Sequence, residues 1–376
     1  MPDHSEAHCV NSWNASRLGW LLLASYECFG SRTLHTLHRL FGGNGDAASR
    51  VDAETLRRRG CKDAVVKKFI AFREAARAED LAMRLDREHI RFLLKEDAEY
   101  PPLLRQIADP PLALFVKGRS DLRDLDGVAI VGTRRHTPYG KYVASWLGRD
   151  LAAAGFWIVS GMAGGIDTIV HEAALEAHGI TVAVLGGGVD EEAMYPRTNL
   201  ALARTIEKNG GTILSEISPG ILPMPFSFPL RNRIISGLCR ATIVVEAAEG
   251  SGSLITAHQA LEQNRDVFAV PGPITHAQSY GTNRLLTMGA IPCTGPETVM
   301  SQLRQGYEPA VPHTHNVTDE ERTLLGLLDT PLHTDEIARA LREPISTICA
   351  RLVALELKGL IIAQEGHVYA RSRYWN

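Results

Sequence analysis

The chain has 376 residues, of which 45% are hydrophobic, and a formal net charge of −3. This length predicts two or three domains, while the nearly neutral charge excludes nucleic-acid binding through bulk charge alone. The six cysteines lack a metal-ligand spacing and the apolar run 18–24 is too short for a membrane span, so a cytoplasmic protein without membrane contact is expected.

Residues 12–88 carry helical signals only, with leucine and phenylalanine at spacings of three and four. Within them, the segment Leu56–Lys62 places basic residues around a single glycine, as in the hairpins of helix–hairpin–helix modules. The same segment is equally typical of a solvated, charged helix that a glycine ends. Residues 1–88 are therefore predicted to form a helical domain of the SAM or helix–hairpin–helix type.

Strands and helices alternate after residue 88. The runs 89–95 and 112–117 are predicted strands, separated by a Tyr-Pro-Pro segment that is incompatible with a helix interior. The pattern then predicts strands at 128–131, 156–160, 181–185, 212–214 and 242–246, with helices at 139–154, 167–178, 199–208 and 254–264. This order predicts an α/β fold with a doubly wound parallel sheet over residues 89–305.

The last part of the chain has a different composition. Residues 306–316 are rich in proline and polar residues, which is typical of a linker. Predicted helices 318–328, 334–341 and 344–358 then precede short strands at 360–363 and 367–370. Three helices followed by a β-hairpin predict a winged helix over residues 317–376.

The stretch 226–272 contains the clearest functional signal. Two arginines precede a buried strand, and the loop Glu249–Ser253 after that strand is predicted to end on the N-cap Ser253 and to open a helix at Leu254. A helix start fed by glycines offers unpaired backbone N–H groups to an anion. Arginines beside such a loop favour a phosphate ligand.

Similar loops follow the other strands, and the carboxyl ends of parallel strands share one edge of a sheet. Together they predict a groove lined by backbone N–H groups and by arginines that binds nucleic-acid phosphates. The candidate residues are Gly132, Thr133, Arg134, Arg135, Gly161, Gly164, Gly165, Arg197, Asn199, Arg231, Asn232, Arg233, Gly250, Ser251, Gly252 and Ser253.

Several kinds of site are not predicted. The chain has neither a strict GxGxxG fingerprint nor a GxxxxGK[ST] loop, so no nucleotide cofactor is expected. Asp167, Asp190, Glu216 and Glu246 follow strands and are candidates for acid–base chemistry, although Asp167 equally suits the positive end of a helix. No Ser–His–Asp set, Cys–His set or metal cluster is recognisable, and no catalytic residue is predicted.

Long motifs in fixed order resemble the DNA-processing protein A (DprA/Smf) family. They include AIVGTRRHTPYG, SGMAGGID, LGGGVD, FPLRNRIISGLCR and ALEQNRDVFAVPG, and they span about residues 100–290. The resemblance implies an extended Rossmann-like domain, with Arg134, Arg197, Arg231 and Arg233 at DNA-binding positions. Val170 stands where the family motif usually has alanine, which is a change in packing.

The resemblance also implies a function. It indicates a single-stranded DNA-binding recombination mediator that protects incoming DNA during natural transformation, helps displace single-strand-binding protein and loads RecA recombinase, without catalysis. It implies a homodimer whose interface includes Leu254, His258, Leu261 and Glu262, close to a strand predicted at the sheet edge. The third helix of the winged helix carries only Arg351 and Lys358 as basic residues, which favours an interaction surface over the principal DNA contact.

Two alternatives remain at this point. The fold resembles phosphoribohydrolases whose glycine loop binds a nucleoside monophosphate and supplies a catalytic glutamate, but Ile255 and Thr256 stand where that acid would be. A structural interaction protein with a vestigial nucleotide site is the other alternative. Binding of oligonucleotides against mononucleotides distinguishes these hypotheses.

Overall fold

A computed structural model of the protein describes residues 11–118, 121–304, 318–328, 330–357, 360–364 and 366–371. The chain forms two compact units, Met1–Leu303 and Arg304–Asn376. The predicted linker 306–316 lies outside the described residues, and the predicted boundary at residue 88 stays a prediction.

The first unit begins with six helices. They are α1 (Ala15–Ala24), α2 (Ser31–Leu40), α3 (Gly45–Ser49), α4 (Ala53–Arg58), α5 (Asp63–Ala75) and α6 (Ala78–Arg87). Their apolar residues, including Trp20 and Phe69, share one hydrophobic core with Phe92 and Phe115 of the following sheet. The helices therefore pack directly on one face of the sheet.

A nine-stranded sheet follows. Its strands are β1 (Ile90–Leu94), β2 (Ala113–Gly118), β3 (Gly127–Val131), β4 (Trp157–Ser160), β5 (Thr181–Val184), β6 (Thr212–Ser215), β7 (Cys239–Val244), β8 (Asp266–Ala269) and β9 (Ile291–Pro292). Their spatial order is β1-β2-β6-β5-β4-β3-β7-β8-β9. The seven strands from β6 to β9 are parallel, and the β1–β2 and β2–β6 pairs are antiparallel. The predicted parallel sheet is thus confirmed.

Helices cover both faces of the sheet. They are α7 (Pro102–Arg105), α8 (Pro138–Ala153), α9 (Ile166–Glu176), α10 (Leu200–Lys208), α11 (Ser227–Gly237), α12 (Gly252–Glu262), α13 (Tyr280–Thr287) and α14 (Pro296–Leu303). The helix α12 begins two residues earlier than expected, because Ser251 and not Ser253 is its N-cap. No helix among the described residues is long and apolar enough to cross a membrane.

The sheet order corrects one expectation. The strand after α12 was expected at an edge, but β8 is hydrogen-bonded to β7 on one side and to β9 on the other. The strand β9 has only two residues, and such a short strand leaves no period-two pattern in the sequence.

The second unit has the secondary-structure elements of a winged helix. Helices α15 (Asp319–Leu327), α16 (Thr334–Leu341) and α17 (Ile345–Leu357) pack with strands β10 (Leu332–His333), β11 (Ile361–Gln364) and β12 (Val368–Arg371). The strands form one antiparallel sheet in the order β10-β12-β11. The predicted winged helix is confirmed, although Lys358, one of the two predicted basic residues, lies outside the described residues.

Candidate nucleic-acid interface

A groove of about 590 Å³ lies at the carboxyl ends of the parallel strands. The order of strands reverses between β3 and β7, and the groove is lined by the segments that follow β3, β4 and β7 and by α11. Open α/β sheets bind their ligands at such a switch point. Of the predicted residues, the groove brings together Gly132, Arg134, Arg231, Asn232, Ser251, Gly252 and Ser253.

The start of α12 forms one wall of the groove. The Ser251 side chain caps the helix by accepting from the Ser253 N–H at 3.4 Å, and the Asn232 side chain donates to the Gly252 carbonyl at 3.2 Å. The Gly252 N–H makes no hydrogen bond to another described residue. The wall therefore offers a backbone donor at the positive end of an 11-residue helix.

A buried carboxylate, that of Glu246, holds the loop that carries Arg134 in place. Glu246 accepts from the Thr137 N–H at 2.9 Å and from its hydroxyl at 2.5 Å, and its own carbonyl accepts from the Thr133 N–H at 2.8 Å. Arg134 itself is exposed, and its guanidinium lies 5.8 Å from the centre of the Phe228 ring. Glu246, a predicted acid–base candidate, thus shapes the loop and leaves Arg134 free to meet a ligand.

Arg231 lies deeper in the groove and is only 7% exposed. Its Nη1 donates to the Gly161 carbonyl at 2.6 Å and to the Val184 carbonyl. Burial lowers the pKa of Arg231 to about 10, Asp167 raises it and Arg134 lowers it further. The residue remains charged at neutral pH, and the repulsion between the two guanidinium groups favours an anion in the groove.

The glycine loop after β4 is already occupied by a side chain of the protein. The Asp167 carboxylate accepts from the Gly161 N–H at 3.1 Å and from the Ala163 N–H at 3.3 Å. Burial raises the pKa of Asp167, while Arg231 and these N–H groups lower it. The predicted Gly161 N–H is therefore satisfied internally, and Gly165 lies against the backbone of Thr133 and Arg134, whereas no atom lies within 4 Å of the Cβ position of Gly164.

Arg233 lies outside the groove. Two helical positions separate it from Arg231, so the side chains leave α11 on roughly opposite faces. Its Nη2 lies 2.7 Å from Glu216 and its Nε lies 3.5 Å from Asp109. Burial raises the pKa of Glu216, and Arg233 opposes that shift. The structure thus assigns Arg233 and Glu216 to a mostly buried ion pair.

The other predicted residues surround the groove without lining it. Arg135 is exposed, and the exposed Arg197 donates to the Glu191 carbonyl at 2.6 Å. Asn199 is buried and joins two loops by donating to the Met162 carbonyl at 2.9 Å and to the Thr168 hydroxyl at 2.8 Å. Thr133 is buried, whereas Gly250 is exposed on the turn before α12.

The residues predicted for a dimer interface lie along α12. Leu261 is 51% exposed and Ile255 is 39% exposed, whereas Ala257 and Ala260 are buried. His258 and Glu262 are exposed and Leu254 is half-buried. The helix therefore presents apolar and charged side chains on one uncovered side.

Sequence reasoning missed the apolar part of the groove. Phe228, Pro229 and Ile235 line it beside Arg134 and Arg231. Three apolar residues just before α11 and one in its first turn are more than half exposed, namely Leu222, Met224, Phe226 and Leu230. The alternation of proline with large apolar residues over 221–230 was the available signal, because such a segment does not continue a strand and fits a helix only in its first turn.

Acid–base or metal chemistry finds no support among the described residues. Asp167 is the one carboxyl among the residues that line the groove, and Asp190 is held by the Gly220 N–H at 2.7 Å and by Arg84 at 3.4 Å. His171 is fully buried and its pKa is lowered to about 3 by burial and by Arg231, so it is neutral. No group of three metal-ligating side chains occurs in the described part of the chain.

Comparisons with known proteins agree with this geometry. The family model "DNA recombination-mediator protein A" matches residues 91–304, and "DprA winged helix domain" matches residues 308–367. The chain is 36% identical to Protein Smf of Escherichia coli K12 over 336 residues, covering 86% of this chain and 88% of that protein. It is 45% identical to DNA processing protein DprA of Bacillus subtilis over 206 residues, covering 54% of this chain and 68% of that protein.

Two solved structures are similar. DprA from Streptococcus pneumoniae matches with a TM-score of 0.65 and 34% identity, covering 78% of this chain and 99% of that chain. DNA processing protein A from Helicobacter pylori matches with a TM-score of 0.52 and 33% identity, covering 58% of this chain and 97% of that chain. The report on the Helicobacter pylori protein concerns its single-stranded DNA binding mode.

Proposed function

Since the chain belongs to the DNA recombination-mediator protein A family, we propose that it binds single-stranded DNA in the groove between β3 and β7. The observation that carries this proposal is the convergence of Arg134, Arg231 and the start of α12 on one groove. Guanidinium groups and free N–H groups are the ligands that phosphates prefer in proteins.

The groove suits an extended polyanion better than a single nucleotide. Arg134 and Arg135 are exposed at its rim, and Arg197 lies on a neighbouring loop. The apolar side chain of Phe228 lies beside Arg134 and offers a face on which an unstacked base packs. Phosphate contacts fix the strand without selecting a sequence, so binding is expected to be independent of base composition.

We propose no catalysis. A phosphoribohydrolase needs a carboxylate near the bound sugar, and the carboxyl in this groove belongs to Asp167, which is buried against two backbone N–H groups. At the positions where that family has its acid, Ile255 is partly exposed and Thr256 is buried. The enzyme alternative is therefore disfavoured by the groove's own side chains.

The finer function follows from the family. We propose that the protein protects incoming DNA during natural transformation, displaces single-strand-binding protein and loads RecA recombinase, and that it works as a homodimer. Support comes from the uncovered side of α12 and from the exposed apolar segment 222–230, because proteins bind one another through such surfaces.

The DNA-binding proposal is tested by fluorescence anisotropy with a labelled single-stranded oligonucleotide over a range of salt concentrations. The Arg134→Ala variant is expected to lose on the order of tenfold in affinity for every sequence and to show a salt slope smaller by about 0.7. Arg149→Ala is the matched control, because Arg149 is an exposed arginine near the opposite end of α8, at the amino edge of the sheet.

Equal affinity of Arg134→Ala and wild type would contradict the assignment of the groove. Release of free base from nucleoside monophosphates by the purified protein, lost in Arg134→Ala, would instead support the enzyme alternative.

A further inference from the structure

A second basic cavity lies in the N-terminal helices. It has a volume of about 260 Å³ and lies between the start of α2 and the turn that joins α4 to α5. Its lining includes three cations, Arg32, Arg59 and Lys62, and the hydroxyl side chains of Thr33 and Thr36. This is the segment whose basic residues surround Gly60, for which the sequence left two interpretations.

The three cations have no ionic partner among the described residues. All three are exposed, and their charged groups make no salt bridge or hydrogen bond to a described residue. The neighbouring arginines differ, because Arg57 pairs with Asp63 and Arg58 pairs with Glu54. Asp63 and Glu54 are thus engaged by other bases, and the three cations that line the cavity stay unpaired among the described residues.

The positive amino ends of two helices add to this charge. The helices α2 and α5 have 10 and 13 residues, and neither start is capped by a side-chain hydrogen bond. The first turn of each helix contributes to the lining through Thr33 and Val65, whose own N–H groups donate to the Gly30 and Lys62 carbonyls, so the contribution is the positive helix end and not a free donor. Gly60, with φ +89°, allows the tight turn that brings Arg59 and Lys62 to the same cavity.

We propose that this cavity binds a phosphate group of the nucleic-acid backbone and extends the DNA contact beyond the groove. This inference rests on the proposed function, because single-stranded DNA bound by the protein would supply the phosphate group. Exposed cations around a small cavity suit a phosphodiester that is held at one point of a long strand. The helical domain then acts as a second DNA-binding site and not only as a cover for the sheet.

The first experiment compares two variants of the full chain. Arg32→Ala/Arg59→Ala/Lys62→Ala removes the three free cations, whereas Arg57→Ala/Arg58→Ala removes two paired arginines from the same segment. Affinity for single-stranded oligonucleotides of increasing length is measured by anisotropy at several salt concentrations. For long strands, the triple variant is expected to lose on the order of tenfold in affinity and about 2 units of salt slope, because each neutralised phosphate contributes about 0.7.

Short oligonucleotides and the Arg57→Ala/Arg58→Ala control show whether the triple variant affects the cavity or the groove. Oligonucleotides that fill only the groove are expected to bind the triple variant and wild type equally, and the double variant is expected to bind long strands like wild type. A triple variant that binds long strands as well as wild type overturns the second site, while Arg134→Ala still tests the groove. Loss of long-strand binding in both basic variants alike also overturns it, since bulk charge would then explain the effect.

A second measurement uses the wild-type chain and needs no substitution. Cys28 and Cys61 line the cavity, whereas Cys349 is an exposed thiol of the other unit. Long single-stranded DNA is expected to slow alkylation of Cys28 severalfold relative to Cys349, as followed by mass spectrometry of the labelled peptides. Unchanged alkylation of Cys28 at saturating DNA overturns the proposal.

Inorganic phosphate and a mononucleotide are tested in the same alkylation experiment. Slower alkylation with long DNA, but not with millimolar amounts of either small anion, supports a site for the DNA backbone. Equal protection by the small anions and by DNA overturns the assignment to a strand and leaves a general phosphate site.

Discussion

Arg134 and Arg231 lie in one groove, but the protein holds them differently. Arg134 is exposed beside Phe228, whereas Arg231 is buried and donates to two backbone carbonyls. The first is free to follow a ligand, and the second joins the ends of β4 and β5 as well as charging the floor of the groove. Substitution of these two arginines is therefore expected to have different consequences.

Arg231→Ala is expected to lower the free energy of unfolding by about 1–3 kcal/mol, because it leaves the Gly161 and Val184 carbonyls without their donor. Arg134→Ala is expected to leave that free energy within about 0.5 kcal/mol of wild type, as is usual for an exposed side chain. Urea denaturation of both variants measures the difference. An Arg231→Ala variant as stable as wild type would contradict the structural role.

The ion pair of Arg233 gives a prediction about pH. Without Arg233, the Glu216 carboxyl stays buried with its raised pKa unopposed, so Arg233→Ala is expected to cost about 3–5 kcal/mol at neutral pH. In the folded variant the pKa of Glu216 lies above 4.5, the ordinary value that this carboxyl has in the unfolded chain. Between these two pKa values the folded state therefore binds more protons than the unfolded state. The variant's stability is accordingly expected to fall as pH rises from 4.5 to 7.

Adding Glu216→Gln provides the control for this effect. Arg233→Ala/Glu216→Gln has no buried carboxylate at this position and is expected to lose the extra pH dependence. Denaturation at several pH values checks both variants. An unchanged slope in the double variant would show that another group titrates.

The sequence predicted which residues form the basic cluster better than it predicted which way their side chains point. It placed Arg231, Asn232 and Arg233 in one basic cluster, but their helix α11 turns Arg233 away from the groove toward Glu216. The phase of a helix decides which of its side chains meet a ligand, and the proline-rich residues before α11 carry no periodic pattern that would reveal that phase.

At the scale of elements, the sequence predicted the strands β1 to β8 in chain order and the helices α8, α9, α10 and α12 between them, but it predicted none of the helices α7, α11, α13 and α14. Apolar runs such as Thr242–Val244 identify strands that are buried on both faces, and glycine-rich turns separate them from helices. The position of β9 was missed, because two residues contribute too little pattern. The edge of the sheet, and with it one argument for a dimer, was therefore misplaced.

The loops at the strand ends depend on a close approach at Gly165. This residue has φ +86°, and a Cβ there would lie 2.5 Å from the Thr133 carbonyl oxygen, in the loop that carries Arg134. Gly165→Ala is expected to cost about 1–3 kcal/mol and to weaken DNA binding. Gly252→Ala is the matched control for stability alone, because no atom lies within 4 Å of its Cβ position and Gly252 itself lines the groove. Equal stability of the two variants, measured by thermal denaturation, would contradict this account.

At the scale of the whole molecule, the two units differ in the side chains that they expose. On α17 of the winged helix, Arg351 lies 3.1 Å from Glu320 and 3.0 Å from Glu343, while Ile345 and Val353 are about half exposed. A chain ending at Arg304 is therefore expected to bind single-stranded DNA within about twofold of the full protein. A loss of more than tenfold, measured by anisotropy, would assign the main DNA contact to the winged helix.

Homodimer formation is expected to depend on the uncovered side of α12. Leu261→Glu places a charge on an exposed apolar position and is expected to shift the protein to monomers. Met83→Glu is the control, because Met83 is similarly exposed on α6. Sedimentation velocity at micromolar concentration measures both variants, and a wild-type protein that sediments as a monomer would contradict the proposed dimer.

The central claim is that single-stranded DNA lies in the groove between β3 and β7. A crystal structure of the protein with a short oligothymidine tests it most directly. We expect phosphate oxygens within hydrogen-bonding distance of the Arg134 guanidinium and the Gly252 N–H, with Arg233 still paired to Glu216. A strand bound elsewhere, with Arg134 and the start of α12 open to solvent, would contradict the claim.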